Sequence, residues 1–274
     1  FIGGAIPVAL TISQMCNNVT FVSYFNKKNL KNKIENFSKN INYKLFYDEK
    51  FVDIKKNRFI DLNTKKKFFE YYNFNNQEFD NKKLYSYLSS NIKKFDKVIV
   101  CDFGHGLFSK NIINLLQKKS KILCLNIQTN SGNRGYNLFK KYQKSDMLAL
   151  DEPEIRLGLQ NRYSSLDDIV KSEDLKKFKD LVITRGIKGL LIKDKKSKKH
   201  YLNFPAFVVN AIDTMGAGDA AYAYASMFLN HSKSKLLIGL ISSIAGAIKT
   251  TIIGHENIVN KEQVERTLES ILKI

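Results

Sequence analysis

The chain has 274 residues, 43% of them hydrophobic, which is enough for one large α/β domain with an insertion or for two modest domains. The formal net charge of +19, from 45 basic and 26 acidic residues, is typical of nucleic-acid-binding proteins. Only six of the basic residues are arginine, however, and arginine is better suited than lysine to bind phosphates and base edges. We therefore interpret the charge as a solvated surface that would still attract an anionic substrate, and we expect no nucleic-acid partner.

The cysteines, histidines and apolar runs argue against three further classes. Cys16, Cys101 and Cys124 have no CxxC spacing, and Cys101 and Cys124 lie in apolar strand-like runs, so we expect these two to be reduced core residues in a cytoplasmic protein. The four histidines are too far apart in sequence to indicate a zinc site. The longest uncharged apolar run, between Lys235 and Lys249, is shorter than the roughly 18–20 residues of a membrane span. It is predicted to be a buried helix, and no membrane association is expected.

Residues 20–75 combine polar, lysine-rich and aromatic segments, without a long helical period before about residue 80. The many Phe and Tyr residues argue against a disordered insertion, which is the alternative. We predict a small β lid over residues 20–75, set against a main domain formed by residues 1–19 and 76–274.

From residue 97 onward, short runs rich in Ile, Val and Leu alternate with helical patterns. Such runs are typical of strands buried on both faces, and their alternation with helices predicts a three-layer α/β/α domain with a mostly parallel sheet. The last helix is expected to begin at Asn260, with Gln263 in the capping-box position. The predicted strands cover residues 97–103, 121–128, 146–150 and 181–184, with a helix over 109–119 and a hairpin over 189–207.

The strongest motif is Asp213-Thr214-Met215-Gly216-Ala217-Gly218-Asp219, between an apolar strand-like run and a helix of small residues. The glycines permit a tight turn that presents consecutive N–H groups at a helix start, where an anion is favoured. A carboxylate just past this turn can reach a hydroxyl aimed at a bound phosphate, so the motif contains the two parts that phosphoryl transfer requires. A plain strand-to-helix turn is the structural alternative.

This motif resembles the DTxGAGD motif of the ribokinase-like (PfkB) carbohydrate kinases. The resemblance implies a ribokinase-like fold and ATP-dependent phosphorylation of a hydroxyl group on a sugar or sugar phosphate. It also implies that Asp219 is the catalytic base, that Gly216, Ala217 and Gly218 form the anion hole, and that Asp213 lies near a monovalent-cation (K⁺) site.

Two further segments are assigned to the nucleotide by the resemblance. Thr184, Gly186 and Gly189 match the TxGxxG segment that lies against the nucleotide, although a β-hairpin turn would explain the same residues. The polar loop of residues 126–137, beginning with Asn126, is expected to line the nucleotide or substrate cleft.

A magnesium site is implied by Asp151-Glu152-Pro153-Glu154, which resembles the NxxE motif. Glu154 keeps the position that organises Mg²⁺ and the phosphates, whereas Asp151 replaces the usual Asn. Together with Asp213 these are the predicted metal residues, and acidic residues at a helix start are the alternative.

The resemblance assigns the acceptor to Gly3 and Gly4, in a GGA segment that approaches the sugar, although Pro7 stands where family members commonly carry Asn. Asp102 and His105 follow a predicted strand, at the edge of the sheet where ligands favour binding. His105 stands where related heptose kinases often have Lys, and we expect it to meet a substrate phosphate; a plain loop residue is the alternative.

The substrate expectation is a heptose phosphate, because these motifs resemble proteins related to heptose-phosphate kinases, some of them fused to a nucleotidyltransferase. A homodimer through the lid is also expected. In the family the GGA segment follows a first core strand, so that strand is expected to be missing here, with a gap in the sheet near Gly3. The alternatives are a kinase for a nucleoside or fructose phosphate, a degenerate non-catalytic binding module and a basic nucleic-acid binder.

Overall fold

The computed structural model describes residues 3–26, 34–49, 55–61, 67–73, 81–208, 210–229 and 234–273. The strands are β1 (Val19–Phe25), β2 (Ile41–Tyr47), β3 (Lys55–Ile60), β4 (Lys67–Asn73), β5 (Val98–Asp102), β6 (Leu123–Ile127), β7 (Ser145–Asp151), β8 (Phe178–Thr184), β9 (Leu190–Lys193) and β10 (Tyr201–Phe204). The helices are α1 (Ala5–Ser13), α2 (Lys82–Asn91), α3 (Lys110–Lys119), α4 (Glu152–Leu159), α5 (Leu166–Lys171), α6 (Glu173–Lys176), α7 (Ala217–Phe228), α8 (Lys235–Thr250) and α9 (Lys261–Leu272).

The main sheet has the strand order β10-β9-β8-β7-β6-β5. Strands β5 to β8 are parallel, while β9 and β10 are added as an antiparallel hairpin. Side chains alternate between two cores along each strand: Leu148 and Leu150 of β7 face the core shared with α3 and α4, whereas Met147 and Ala149 face the core shared with α1, α7 and α8. Helices therefore cover both faces, which confirms the predicted three-layer α/β/α fold with a mostly parallel sheet.

The predicted strands, helices and hairpin of the second half are found within a few residues of their expected bounds, but the described residues of the apolar run before Asp213 form no strand. Asn260 and Gln263 form the predicted capping box at the start of α9. The apolar run between Lys235 and Lys249 forms α8, which is buried against α7 through residues such as Ile244. None of the helices in the described residues is long and apolar enough to cross a membrane.

The strands between residues 19 and 73 form two small sheets. β1 and β2 pair in parallel, and Tyr24 and Phe46 pack with Leu84 of α2 in the main core. β3 and β4 form a separate antiparallel pair. The division into a lid of residues 20–75 and a main domain stays a prediction. The missing first strand also stays a prediction. In the described residues β5 is an edge of the main sheet, and Gly4 lies close to Phe103, which follows β5.

Helix α7 is attached to the sheet by the hydroxyl group of Tyr222. This side chain is 1% exposed, and its oxygen accepts the N–H of Val100 at 3.2 Å. It also lies 2.9 Å from the carbonyl oxygen of Val100 in β5 and 2.8 Å from that of Cys124 in β6. The hydroxyl group thus bridges two neighbouring strands and fixes α7 relative to both.

Replacing Tyr222 with Phe is expected to lower the free energy of unfolding by about 1–3 kcal/mol, because buried strand groups lose a partner. Tyr224 provides a matched control on the same helix. It is 2% exposed, but its hydroxyl has no hydrogen-bond partner within the described residues. Urea unfolding should therefore show a clear loss for Tyr222→Phe and a change within about 0.5 kcal/mol for Tyr224→Phe. Equal effects of the two variants would contradict the bridging role.

Candidate active site

The turn that precedes α7 is fixed by the carboxylate of Asp213. One oxygen accepts the N–H of Met215 at 2.9 Å, and the other accepts the N–H of Gly254 at 2.8 Å. Gly216 has φ +77°, and a Cβ atom there would lie 2.9 Å from Cε1 of His255. Only glycine fits both the left-handed backbone and the limited space, so the turn leads directly into the start of α7.

The first turn of α7 presents backbone N–H groups to the site. The N–H of Ala217 closes the preceding turn on the carbonyl oxygen of Thr214 at 3.3 Å. Those of Gly218 and Asp219 follow within the first helical turn, where N–H groups have no intrahelical acceptor. The positive end of the helix dipole lies at the same place, so the geometry suits an anion such as a phosphate.

Asp219 is held beside these N–H groups by a chain of amides. Its Oδ1 accepts a short hydrogen bond from Gln128 Nε2, which also donates to Asn126 Oδ1 at 2.9 Å. Asn126 in turn donates to the carbonyl oxygen of Ala149 at 3.2 Å. Asn126 is 5% exposed and positions Gln128, so its direct contact with a nucleotide stays a prediction. Gln128 was not singled out in the sequence, where it is one polar residue among many in the loop after β6.

Burial raises the pKa of the Asp219 carboxyl to about 6, and the Gln128 hydrogen bond and the positive charge of Lys249 oppose this shift. The group is therefore a stronger base than an ordinary aspartate, yet it is still mostly ionised at neutral pH. This is the property that a general base in this position requires.

A second carboxylate, Glu154, belongs to a capping box at the start of α4. Its two oxygens accept the N–H groups of Thr129 at 2.7 Å and Asp151 at 2.9 Å, while Asp151 Oδ1 accepts the N–H of Glu154 at 2.7 Å. Burial, followed by the negative charge of Asp151, raises the pKa of Glu154 to about 7, and the charge of Asp219 contributes in the same direction. A bound cation would relieve this repulsion.

The three predicted metal residues do not converge. The side chains of Asp151 and Glu154 each accept the other residue's backbone N–H, whereas Asp213 accepts the backbone N–H of Gly254. Across the described part of the chain, no group of three or more His, Cys, Asp or Glu side chains is placed to hold a metal ion. Mg²⁺ commonly binds through one or two carboxylates together with waters and substrate phosphates, and a magnesium site at Glu154 stays a prediction.

The segment assigned to the nucleotide is both a hairpin turn and a neighbour of α7. Gly186 and Gly189 have φ +57° and +79°, and a Cβ atom on Gly189 would lie 1.9 Å from the carbonyl oxygen of Phe204. Thr184 precedes this turn, and its Oγ1 lies 3.8 Å from the position of a Cβ atom on Gly218. The fold therefore brings Thr184 next to the predicted anion hole.

On the acceptor side, Asp102 ends β5 and is 2% exposed. Its Oδ2 accepts from Tyr142 at 2.7 Å and pairs with Lys141 at 2.6 Å, and its Oδ1 accepts the N–H of Gly104 at 3.0 Å. These contacts make Asp102 a support for the loop after β5, and its direct contact with a substrate stays a prediction. A cavity of about 200 Å³ opens beside it, between this loop and Asn137.

The β3–β4 sheet places positive charge near this end of the molecule. Burial lowers the pKa of His105, the charge of Asp102 opposes the shift, and the charge of Lys56 in β3 adds to it. Burial also lowers the pKa of His255 to about 4, with further contributions from Lys249 and from Arg58 in β3. Lys56 and Arg58 lie on the same face of β3, where both form ion pairs with Glu70, at 3.4 Å and 3.0 Å.

Helix α1 completes the surroundings of Asp219. Pro7 and Thr11 line a small cavity together with Gly216, Asp219 and His255, and the space is sufficient for about one water molecule. A Cβ atom on Gly4 would lie 3.8 Å from Phe103, whereas one on Gly3 would meet no atom within 4 Å. The N-terminal end of α1 therefore lies near both Asp219 and the loop after β5.

Comparisons with known proteins agree with this arrangement. The model of the pfkB family carbohydrate kinases matches residues 2–234. No curated protein is similar enough in sequence to count as a match. Among solved structures, phosphofructokinase-2 from Escherichia coli has a TM-score of 0.75 at 13% identity, covering 96% of this chain and 85% of that chain.

Two other kinases share the fold. Ribokinase from Arabidopsis thaliana has a TM-score of 0.73 at 11% identity, covering 98% of this chain and 87% of that chain. A nucleoside kinase from Burkholderia thailandensis has a TM-score of 0.67 at 15% identity, with the same coverage of 98% and 87%. Because the family model covers most of its length, the chain belongs to the pfkB family of carbohydrate kinases and is a phosphotransferase with an alcohol group as acceptor.

Proposed function

We propose that the chain transfers the γ-phosphoryl group of ATP to a hydroxyl group of a sugar or sugar phosphate. The observation that carries this proposal is the position of Asp219, a carboxylate with a pKa raised to about 6 in the first turn of α7. A phosphate bound at this helix start would face any hydroxyl group hydrogen-bonded to Asp219. The use of ATP is supported by the Arabidopsis thaliana ribokinase, which was solved with ribose and ATP.

In this reaction the acceptor hydroxyl donates its proton to Asp219 as its oxygen bonds to the γ-phosphorus, and the bond from that phosphorus to the leaving ADP oxygen breaks. The proton goes to Oδ2, because Oδ1 is engaged by Gln128. The N–H groups at the start of α7 stabilise the charge on the phosphoryl oxygens. Glu154 would hold Mg²⁺, which supplies further neutralisation of phosphate charge when bound.

For the acceptor, a sugar phosphate is favoured over a neutral sugar, with a heptose phosphate as the first candidate. Lys56 and Arg58, which share Glu70 as an ion-pair partner, act electrostatically on His105 and His255, and His105 follows the carboxyl end of β5. These groups suit a phosphate on the acceptor. The neighbours also include a nucleoside kinase solved with inosine, so nucleosides and fructose phosphate are the rival acceptors.

A monovalent cation is the remaining cofactor to consider, because E. coli phosphofructokinase-2 was solved with potassium. The resemblance places such an ion near Asp213. Both oxygens of Asp213 already accept backbone N–H groups, and the neighbouring carbonyl oxygens of Ile252 and Gly254 accept from Lys249. Because the ammonium group of Lys249 already binds these carbonyl oxygens and carries the same charge as a monovalent ion, the residues at this position do not fit such an ion.

A homodimer is proposed through the outer face of the β3–β4 sheet. Phe59, Phe69 and Tyr71 lie on that face and are 47%, 56% and 52% exposed, and the rings of Phe59 and Phe69 stack at 4.3 Å. The opposite face carries the ion pair between Arg58 and Glu70. A second copy would cover the aromatic face, and assembly has a precedent in the tetrameric form of E. coli phosphofructokinase-2.

The proposed function is tested by acceptor-dependent release of ADP. Sugar phosphates are expected to react faster than the matching neutral sugars, and added salt should reduce that preference.

With an acceptor identified, Asp219→Asn should bind ATP normally but lower kcat by about 10²–10⁴, the usual contribution of a general base. Single-turnover measurements decide this, and near-normal turnover of the variant would remove Asp219 from the mechanism. Lys118→Met, an exposed charge change on α3, is the control.

The same variant should change stability in a pH-dependent way. A carboxyl group with a raised pKa destabilises the folded chain above that pKa, and the cost disappears as pH falls below the unfolded value. Asp219→Asn is therefore expected to be about 1–3 kcal/mol more stable than the wild type at pH 8, with the difference vanishing near pH 4. Urea unfolding at the two pH values measures it, and a pH-independent difference would contradict the raised pKa.

Phe69→Ser should convert the dimer to a monomer, because a polar side chain removes the stacked centre of the aromatic face. Sedimentation equilibrium of the wild type, Phe69→Ser and Tyr163→Ser tests this. Tyr163 is 88% exposed elsewhere on the surface and serves as the control, which should remain dimeric. A monomeric wild type at high concentration would refute the proposed dimer.

A further inference from the structure

Lys249, in the last turn of α8, is a charged residue in an interior position. Its side chain is 4% exposed, and its ammonium group donates to the carbonyl oxygens of Ile252 at 3.3 Å and Gly254 at 2.6 Å. Burial of a charge is costly unless polar partners surround it, and these carbonyl oxygens fulfil that requirement. No local sequence pattern indicates this role, since Lys249 only ends a long apolar run.

The carbonyl ligands of Lys249 belong to the segment that holds the active-site turn. The N–H of Gly254 donates to Asp213 at 2.8 Å, and the N–H of Asp213 donates to the carbonyl oxygen of Thr250 at 3.0 Å. Asp213 in turn fixes the backbone at Met215. An unbroken series of contacts therefore runs from the ammonium group to the turn that begins α7.

The charge of Lys249 also acts on the carboxylates of the motif. Burial lowers the pKa of Lys249, while the negative charges of Asp213 and then Asp219 oppose that shift. Conversely, Lys249 holds the pKa of Asp219 below the value that burial alone would give. His255 borders the same space, and burial together with the charges of Lys249 and Arg58 lowers its pKa to about 4, so Lys249 rather than His255 supplies positive charge beside these carboxylates.

An ammonium group and a monovalent metal ion have the same charge, and both bind backbone carbonyl oxygens. We propose that Lys249 is an internal cation that takes the place of a monovalent metal ion, so that the active-site turn of this kinase is ordered without potassium. Lys249 acts as a positioning residue through Gly254 and Asp213. The inference about turnover rests on the proposed function, whereas the inference about cation binding does not.

Lys193 is a matched control for burial of a lysine. It is 7% exposed and donates to two carbonyl oxygens, those of Leu175 at 3.3 Å and Phe178 at 3.1 Å, away from the 213–219 turn. Replacing either lysine removes a buried ammonium group with two carbonyl partners. Of these two lysines, only Lys249 is connected to Asp213, through Gly254. An effect that depends on the active-site turn should therefore appear in the Lys249 variant and not in the Lys193 variant.

The experiment compares melting temperatures in KCl and in choline chloride at equal ionic strength, which needs no acceptor. The wild type should show no potassium-specific shift. Lys249→Ala should melt lower in choline, and KCl should raise its melting temperature by about 3 °C or more, because K⁺ enters the space between the two carbonyl oxygens and Asp213. Lys193→Ala should melt lower in both salts equally. Thallium-205 resonance broadening should report a bound ion in Lys249→Ala and none in the wild type.

Turnover with an active acceptor is the second readout. The wild type should have the same kcat in both salts, whereas Lys249→Ala should lose at least tenfold in choline and regain part of it in KCl. A potassium-specific melting shift or potassium-dependent kcat of the wild type would overturn the inference while leaving the kinase proposal intact. If Lys249→Ala does not fold, the wild-type comparison still decides. Absence of turnover with every acceptor in both salts would count against the proposed function alone.

Discussion

The contact between Tyr222 and the edge of the main sheet determines where the chemistry can take place. Its hydroxyl group bridges β5 and β6, and Ala221, Ala223 and Ala225 allow α7 to lie close to its neighbours because their side chains are small. The other end of the helix is held by Lys97, which donates to the carbonyl oxygens of its last residues. With both its middle and its end fixed, the start of α7 is aimed at the carboxyl edge of the sheet, where the loops after β5 and β6 also end.

This placement buries two carboxyl groups close to the start of α7, and a buried lysine supplies part of the opposite charge. Burial raises the pKa values of both Asp219 and Glu154, and the negative charges of Asp151 and Asp219 raise that of Glu154 further. Such an arrangement lowers stability but attracts a cation and a proton, which are the species that phosphoryl transfer moves or neutralises. The charge of Lys249 lowers the pKa of Asp219, so within the part of the chain that the structure describes this buried lysine acts on the site more directly than the net charge of +19 does.

The sequence was sufficient to predict the fold and to single out the 213–219 turn as the candidate site, because both depend on local patterns. Apolar runs alternate with helices, the capping residues at Asn260 lie three positions apart, and the 213–219 motif is contiguous. The remaining contacts depend on tertiary structure. Gln128 lies 91 positions from Asp219 in the chain, and no local pattern distinguishes it from the other polar residues of its loop. In the sequence Lys249 is only the end of an apolar run, whereas in the structure its ammonium group binds the segment that holds the active-site turn.

The β3–β4 sheet links the site to the surface through the alternation of side chains along a strand. Lys56 and Arg58 share the inner face of this sheet with Glu70, whereas Phe59 lies on the opposite, outer face, so one short sheet carries both the charge that acts on His105 and the proposed contact between copies. A two-stranded sheet is only marginally stable by itself, so contacts on either face add to its order. A phosphate bound at the inner face and a second copy at the outer face would stabilise the same conformation. Acceptor binding and assembly are therefore expected to favour each other. Whichever occurs first already orders the β3–β4 sheet, so the second loses less conformational entropy.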